Sequence, residues 1–201
     1  TIKDHPNTMN FLMFEKDKEI ACVDIVSVGG GDIKIDKEKT YEEVYPFSSF
    51  EEIKNWCIKN NKHLCDIVYE YEGKNIKDYL KTIFNSMVNS IENGLKIKGE
   101  LPGSLHVLRK ANTLYNDKNA DGDDELKLVS AYAFAVSEEN ASGGLIVTAP
   151  TCGSSGVLPS VLYYMYKNKK IDFSKIIDAL AVAGIIGNII KQNASISGAQ
   201  A

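Results

Sequence analysis

The chain has 201 residues, of which 44% are hydrophobic and 25% charged, and its formal net charge is -4. This length can hold one large or two small domains, and the composition is typical of a soluble globular protein. No basic stripe is present, so we expect no nucleic-acid partner. The polar first ten residues do not resemble a secretory signal, and the four cysteines form no CxxC pair. Both observations favour a cytoplasmic protein without disulfides.

The N-terminal part of the chain predicts short β-strands. β-forming residues dominate positions 11–14 and 20–28, with a charged turn between them, and the pattern continues at 33–35 after three glycines. A charged connector follows up to residue 45. We therefore expect residues 1–46 to belong to a small α/β domain.

From residue 47 onward the spacing of apolar residues predicts helices. Ser49 is expected to cap the first helix, which would run as far as Gly73. The other predicted helices cover residues 76–94, a stretch from Pro102 through 114, and residues 125–139, 158–166 and 174–192. The fold class is thus α+β, mainly α, with a short β-rich N-terminal segment followed by an all-helical domain over 47–201.

The most apolar stretch, residues 176–190, is short for a membrane span and contains many small residues. Its alanines and glycines predict a central helix that is closely packed on all sides. We therefore expect no membrane partner.

Three short motifs point to other classes of protein, and each is incomplete. Residues 117–122 match the first half of an EF-hand loop, but Leu128 stands where the bidentate Glu should be, which favours a solvated acidic loop. The glycines at 29–31 are not followed by a GxGxxG pattern. Residues 153–156 fall one residue short of a GxSxG elbow, and no histidine follows His106 to complete a triad.

The segment 148–159 is the most informative part of the chain, because small and polar residues separate an apolar strand-like run from a helix. Its candidate site residues are Thr148, Thr151, Cys152, Gly153, Ser154 and Ser155. A helix beginning near Gly156 would offer free N–H groups and its dipole to a carboxylate. The segment could be the floor of a site for a small polar substrate or a tight turn that needs small residues. Cys152 has no base or cation nearby in sequence, so a small buried thiol in a turn is favoured over a nucleophile or an iron ligand.

A second group of polar residues follows the apolar helix. Asn193, Ser195 and Ser197 are expected to form another wall of the same pocket, and the alternative is a helix C-cap. His5 and Asn7, in a polar turn before the first strand, and Asn140 are further candidates.

These segments together resemble the iron–sulfur-dependent L-serine dehydratases, also called L-serine ammonia-lyases. The resemblance is carried by the segments 5–9, 27–31, 101–103, 137–144, 148–151 and 193–199, which occur in the family's order. It implies that residues 1–46 are the end of the family's β-domain and that 47–201 are the first part of its helical catalytic α-domain.

The resemblance also implies a chemistry and a cofactor. L-Serine would lose water by α,β-elimination and give pyruvate and ammonia. The cofactor would be a [4Fe-4S] cluster rather than pyridoxal phosphate, with one open iron acting as Lewis acid on the serine hydroxyl. The substrate carboxylate would lie at residues 151–156, beside the wall formed by 193–197.

The chain departs from the family pattern in ways that limit these expectations. The Gly-Cys-Gln element and the other cluster cysteines are expected beyond Ala201, so no metal ligand is predicted within this chain. The family's Ser-Ser-Ser-His-Thr motif is absent, and Ser155 replaces a cysteine of some members. No base is assigned. We expect a homo-oligomer or a partner β-subunit or β-domain. A related lyase acting on cysteine or another β-substituted amino acid, and a non-catalytic binding module, remain alternatives.

Overall fold

The computed structural model describes residues 7–29, 32–35, 44–117, 124–148 and 151–193. Within these ranges a small antiparallel sheet precedes seven helices, which confirms the predicted fold class. The strands are β1 (Thr8–Glu15), β2 (Lys18–Gly29) and β3 (Asp32–Ile35), and the helices are α1 (Phe50–Asn60), α2 (Leu64–Tyr71), α3 (Ile76–Gly94), α4 (Ala111–Asn116), α5 (Asp124–Ala141), α6 (Val157–Lys167) and α7 (Phe173–Asn193).

The sheet has the order β1-β2-β3, with both neighbouring pairs antiparallel. Lys16 and Asp17 both have positive φ, at 45° and 66°, which is the backbone of a tight type I′ hairpin turn between β1 and β2. Most apolar side chains of β1 are exposed, and Met13 is 61% exposed. Val26 on β2 is 3% exposed and is the buried residue among the described side chains of the sheet.

The observed helices agree with the predicted ones in four cases and differ in two. Helices α3, α5, α6 and α7 lie where apolar periodicity placed them. The helix predicted from Ser49 to Gly73 is instead two helices, because Asn61 takes a left-handed conformation with φ 51° and ends α1. Ser49 caps α1 as predicted, since its Oγ accepts a hydrogen bond from the Glu52 amide at 3.3 Å.

The helix predicted from Pro102 is wrong over most of its length. Residues 101–110 form an irregular loop in which Gly103 and His106 have positive φ, and helix α4 begins only at Ala111. Glu100 and Leu108 pair across this loop as an antiparallel bridge. Leu105 is 83% exposed, so the apolar spacing that suggested a helix does not mark a buried face.

Two clusters of buried apolar side chains form the helical core. The first is built by α1, α2, α3, α6 and α7 around Phe84, and the second by α3, α4, α5 and α6 around Val136. Helices α3 and α6 contribute to both clusters. On α6, Leu162 belongs to the first cluster, and Tyr163 belongs to the second.

Helices α3 and α5 approach each other very closely at Gly94. A Cβ at this position would lie 2.3 Å from the carbonyl oxygen of Ala135, which itself is fully buried. Any larger residue would have to separate the two helices. This close approach fixes α5 against the core, and α5 in turn supports the loop that follows it.

Helix α7 is packed along one face only within the described part of the chain. Ile176, Leu180 and Ile185 are buried in the first cluster, whereas added Cβ atoms at Gly184 and Gly187 would meet open space. The prediction of close packing on all sides is therefore not met on that face. By length and composition α7 is the single helix of the described residues that could cross a membrane, and its packed face is also what a core helix shows.

Candidate functional site

The candidate site is the turn that leads into α6. Helix α6 begins at Val157 with Gly156 as its N-cap, which confirms the helix start predicted from the sequence. Thr151 and Ser154 are half-buried, whereas Thr148, Cys152 and Gly153 are exposed. The prediction of a buried Cys152 thiol is therefore wrong, because the turn leaves this side chain at its surface. The structure brings the predicted residues of 151–155 together in one compact turn, and Thr148 precedes this turn in the chain.

Hydrogen bonds inside the turn fix its shape. The Ser154 Oγ donates to the carbonyl oxygen of Thr151 at 3.2 Å and lies 3.3 Å from the Thr151 Oγ1. The Ser155 Oγ donates to the carbonyl oxygen of Cys152 at 2.7 Å, and the Ser155 amide donates to the same oxygen at 3.3 Å. Because Ser155 is fully buried, its hydroxyl shapes the turn from within.

The start of α6 offers an anion fewer amides than the sequence suggested. The Val157 amide donates to the carbonyl oxygen of Ser154 at 3.2 Å, and Pro159 has no N–H. The dipole of the eleven-residue helix still points its positive end at the turn. The exposed Cys152 and Gly153 and the half-buried Thr151 hydroxyl are the parts of the turn that a carboxylate could reach.

Helix α5 is the wall against which the turn rests. A Cβ on Gly156 would lie 2.7 Å from the carbonyl oxygen of Ala133 and 3.1 Å from the Ser137 Oγ, so glycine allows the two segments to touch. Asn140 is half-buried one helical turn after Ser137. Sequence reasoning missed Ser137 as a site residue, because no local pattern shows which helix Gly156 contacts.

The segment between α5 and the turn is anchored in both apolar clusters. Ile146 packs against the second cluster and Val147 against the first. Gly143 has φ 76° and its amide donates to the carbonyl oxygen of Asn140, while the Gly144 amide donates to that of Glu139 at 2.8 Å. These bonds end α5 with a left-handed glycine and redirect the chain toward the turn.

The remaining predicted site residues lie elsewhere or outside the described ranges. The Asn193 side-chain amide donates to the carbonyl oxygen of Ile189 at 2.8 Å, on its own helix. Asn7 lies before β1, and its carbonyl oxygen accepts from the Ser27 amide at 3.2 Å. His5, Ser195 and Ser197 lie outside the described residues, so the second wall of the pocket stays a prediction.

The described residues do not provide a site for an iron–sulfur cluster. Among them, no group of three or more His, Cys, Asp or Glu side chains could hold a metal ion. Burial, followed by the nearby carboxylates of Asp178 and Asp66, raises the pKa of the Cys65 thiol, and burial with Asp66 does the same for Cys57. Raised pKa values disfavour the thiolate, which is the form that binds metals. We therefore assign no step to a cluster.

The described residues form a mainly helical protein with a small antiparallel sheet, in which a polar turn of small residues leads into the N-terminus of α6. The sequence profile of the serine dehydratase alpha chain family matches residues 18–201, and the chain belongs to this family. Strand β1 lies before the matched range.

Named relatives extend this similarity over almost the whole chain. An L-serine dehydratase of Haemophilus influenzae is 35% identical over 99% of this chain, and one of Helicobacter pylori is 37% identical over 98%. L-serine dehydratase 2 of Escherichia coli is 33% identical over 98%. In each comparison the chain covers 47–48% of the relative, so it spans about half the length of these proteins.

Proposed function

We propose that the chain is a substrate-binding part of an L-serine ammonia-lyase. The observation that carries this proposal is the match to L-serine dehydratases over 98–99% of the chain. In the reaction the Cα–H bond of L-serine loses its proton and the Cβ–O bond breaks, which releases water. The resulting 2-aminoacrylate tautomerises to its imine, gaining a proton at Cβ and losing one from nitrogen, and hydrolysis of the imine gives pyruvate and ammonia.

The turn at α6 is proposed to bind the carboxylate of the amino acid. The positive end of the α6 dipole, the Thr151 hydroxyl and the exposed backbone at Gly153 support this role. Ser137 on α5 lies against the turn at Gly156, and we propose that it and Asn140, one helical turn further on, face the ammonium or hydroxyl group. The buried Ser155 would maintain the shape of the turn rather than touch the substrate.

The proposed cofactor is the [4Fe-4S] cluster that the family resemblance implies, without pyridoxal phosphate. Its ligands are proposed to lie beyond Ala201, because the described residues offer no fitting set. The chain described here would then hold the amino acid, and the cluster would be held by the rest of the enzyme.

Binding and turnover test the proposal separately. We expect L-serine to shift the NMR amide signals of residues 151–157 in the 201-residue chain, and D-serine to shift them far less. No shift with L-serine up to millimolar concentration would contradict the assignment of the site. For turnover, the chain is incubated anaerobically with iron and sulfide, together with the remaining half supplied from a relative, and pyruvate is measured.

Comparing pyruvate release from L-serine and from L-cysteine distinguishes an L-serine lyase from a lyase for related amino acids. We expect pyruvate from L-serine to exceed that from L-cysteine at equal concentration. Faster release from L-cysteine would favour a lyase for β-substituted amino acids instead. Binding of L-serine without turnover in the complemented enzyme would favour a non-catalytic binding module.

We further propose a cytoplasmic protein that works as a homo-oligomer or with a partner β-subunit or β-domain, without a membrane or a nucleic acid. Two apolar surfaces support a protein partner: the open face of α7 at Gly184 and Gly187, and the exposed β1 side chains such as Phe11 and Met13. Sedimentation should show dimers or larger species. A monomer at all concentrations would contradict the homo-oligomer.

A further inference from the structure

A buried arginine joins the loop before α4 to the end of α5. Arg109 lies near the end of the irregular loop 101–110, and its amide donates to the carbonyl oxygen of Gly99 at 2.8 Å. Its side chain is 6% exposed and that of Glu138, on the last turns of α5, is 5% exposed. The two residues are therefore removed from water at the junction of three segments.

The two buried side chains hold backbone groups from both sides of this junction. Glu138 Oε1 accepts from the Lys110 amide at 2.5 Å and the Ala111 amide at 3.1 Å, and so caps α4. Arg109 Nη2 donates to the Ser142 Oγ at 2.5 Å, and that hydroxyl donates to the carbonyl oxygen of Glu138 at 2.7 Å. Ser142 is the first residue after α5, so its hydroxyl connects Arg109 to the end of that helix.

This buried ion pair is a poor source of folding stability. Arg109 Nη1 and Glu138 Oε2 are 4.0 Å apart. Both atoms, and Arg109 Nε, are shielded from solvent and have no hydrogen-bond partner in the described part of the chain. Burying such a pair costs more free energy than a well-packed apolar pair of the same volume would. The pair is therefore better explained by what Arg109 holds in place than by a gain in stability.

Through Ser142, Arg109 holds the first residue of the connection between α5 and α6, and this connection contains the candidate turn. The first described part of this connection, residues 142–148, leaves α5 at Ser142, and the second, residues 151–156, meets α5 again at Gly156, which lies against Ala133 and Ser137. Both ends of the connection thus rest on the same helix. The last turn of a helix is where its hydrogen bonds open first, and Arg109 closes that end through Ser142.

We propose that Arg109 is a positioning residue for the candidate carboxylate-binding turn and acts through the Ser142 hydroxyl. The role of the turn as a carboxylate site rests on the proposed function, whereas the coupling between Ser142 and the turn does not depend on it. Loss of the Ser142 hydroxyl should loosen residues 143–148 and 151–157, including the half-buried Ile146 and Val147 that pack at the edges of the clusters, while the buried side chains of both clusters stay in place.

Amide hydrogen exchange of the 201-residue chain tests the coupling without any ligand. In Ser142→Ala we expect amides of 143–148 and 151–157 to exchange about tenfold faster, the effect of losing one hydrogen bond to a charged group. Ser142→Thr keeps the hydroxyl and should exchange as the parent chain does. Ser86→Ala, which removes a comparable hydroxyl bond to the Thr82 carbonyl on α3, is the matched control and should leave these amides unchanged.

The result that would overturn the proposal is faster exchange in Ser142→Ala at residues 139–142 alone, with 151–157 unchanged. Arg109→Lys keeps the charge but not the planar fork, and should reproduce the Ser142→Ala pattern if it folds. If it does not fold, the serine variants still decide.

Titration with L-serine then separates this inference from the proposed function. Ser142→Ala should weaken L-serine binding about tenfold, and Ser142→Thr should restore it. If the parent chain does not bind L-serine, the proposed function fails, whereas the exchange measurements still confirm or overturn the positioning role. Unchanged L-serine affinity in Ser142→Ala would overturn it.

Discussion

Gly156→Ala is the change that most directly tests the contact between the candidate turn and α5. The backbone at Gly156 has φ -81° and ψ -24°, which alanine adopts without strain. The new methyl group would lie 2.7 Å from the Ala133 carbonyl oxygen and 3.1 Å from the Ser137 Oγ. A backbone oxygen at this distance cannot move aside without moving α5, so the start of α6 must shift.

The cost of this shift follows from two opposing terms. Overpacking at a tight contact destabilises by roughly 1–3 kcal/mol. The smaller entropy of the unfolded alanine chain returns roughly 0.4–1 kcal/mol. We therefore expect Gly156→Ala to lower the free energy of unfolding by about 1–2 kcal/mol.

Gly153→Ala is the matched control three residues earlier in the same turn. Its added methyl group would have only the Thr151 Oγ1 nearby, at 3.9 Å, which is an ordinary contact. We expect it to be neutral or to stabilise by up to about 1 kcal/mol.

Urea unfolding of both variants, followed by circular dichroism, measures the difference in stability. Amide exchange in residues 151–157 shows whether the turn has moved. Equal stability of Gly156→Ala and Gly153→Ala would refute the close approach of the turn to α5.

Three further changes test the core, a helix cap and the response to pH. Phe84→Ala, at a ring that is 1% exposed, should cost about 3–5 kcal/mol in urea unfolding, and Phe84→Leu clearly less. Ser49→Ala should cost about 1 kcal/mol because the Glu52 amide loses its acceptor, whereas Ser49→Asp should retain most of the stability. Burial raises the pKa of Tyr132 from 10.0 to about 12, so its contribution to stability is complete below pH 10 and is lost as the pH rises toward 12. The urea midpoint should fall over that window by less in Tyr132→Phe than in the parent chain, and an identical fall in both would contradict the assignment to Tyr132.

The sequence contained enough information to place the helices with long amphipathic patterns, but not the irregular segments. Helix α3 and the cap at Ser49 follow from local spacing and side-chain chemistry, which act within one or two turns. The failure at 101–110 has a physical cause, because Leu105 and Leu108 have helical spacing but lie on an exposed loop. The positive φ of Gly103 and His106 could not be read from that spacing.

The sequence predicted the local part of the candidate site but not its long-range contacts. The turn at 151–156 and the start of α6 were predicted, since small residues before an apolar helix are a local pattern. The contact of Gly156 with Ser137, and the bond from Arg109 to Ser142, join residues far apart in the chain. Such contacts depend on how α5 packs against α3 and α4, which periodicity does not determine.

The participation of α6 in both apolar clusters has a thermodynamic consequence. Leu162 and Tyr163 connect the two clusters through α6, as α3 also does, so melting of one cluster removes packing from helices that the other cluster needs. Heat should therefore unfold the helical part in one cooperative transition. An amino acid bound where α6 begins would then report on the whole domain, because a ligand at a hundred times its dissociation constant raises the free energy of unfolding by about 2.7 kcal/mol. A shift in melting temperature would thus reveal an occupied turn even when no product is formed.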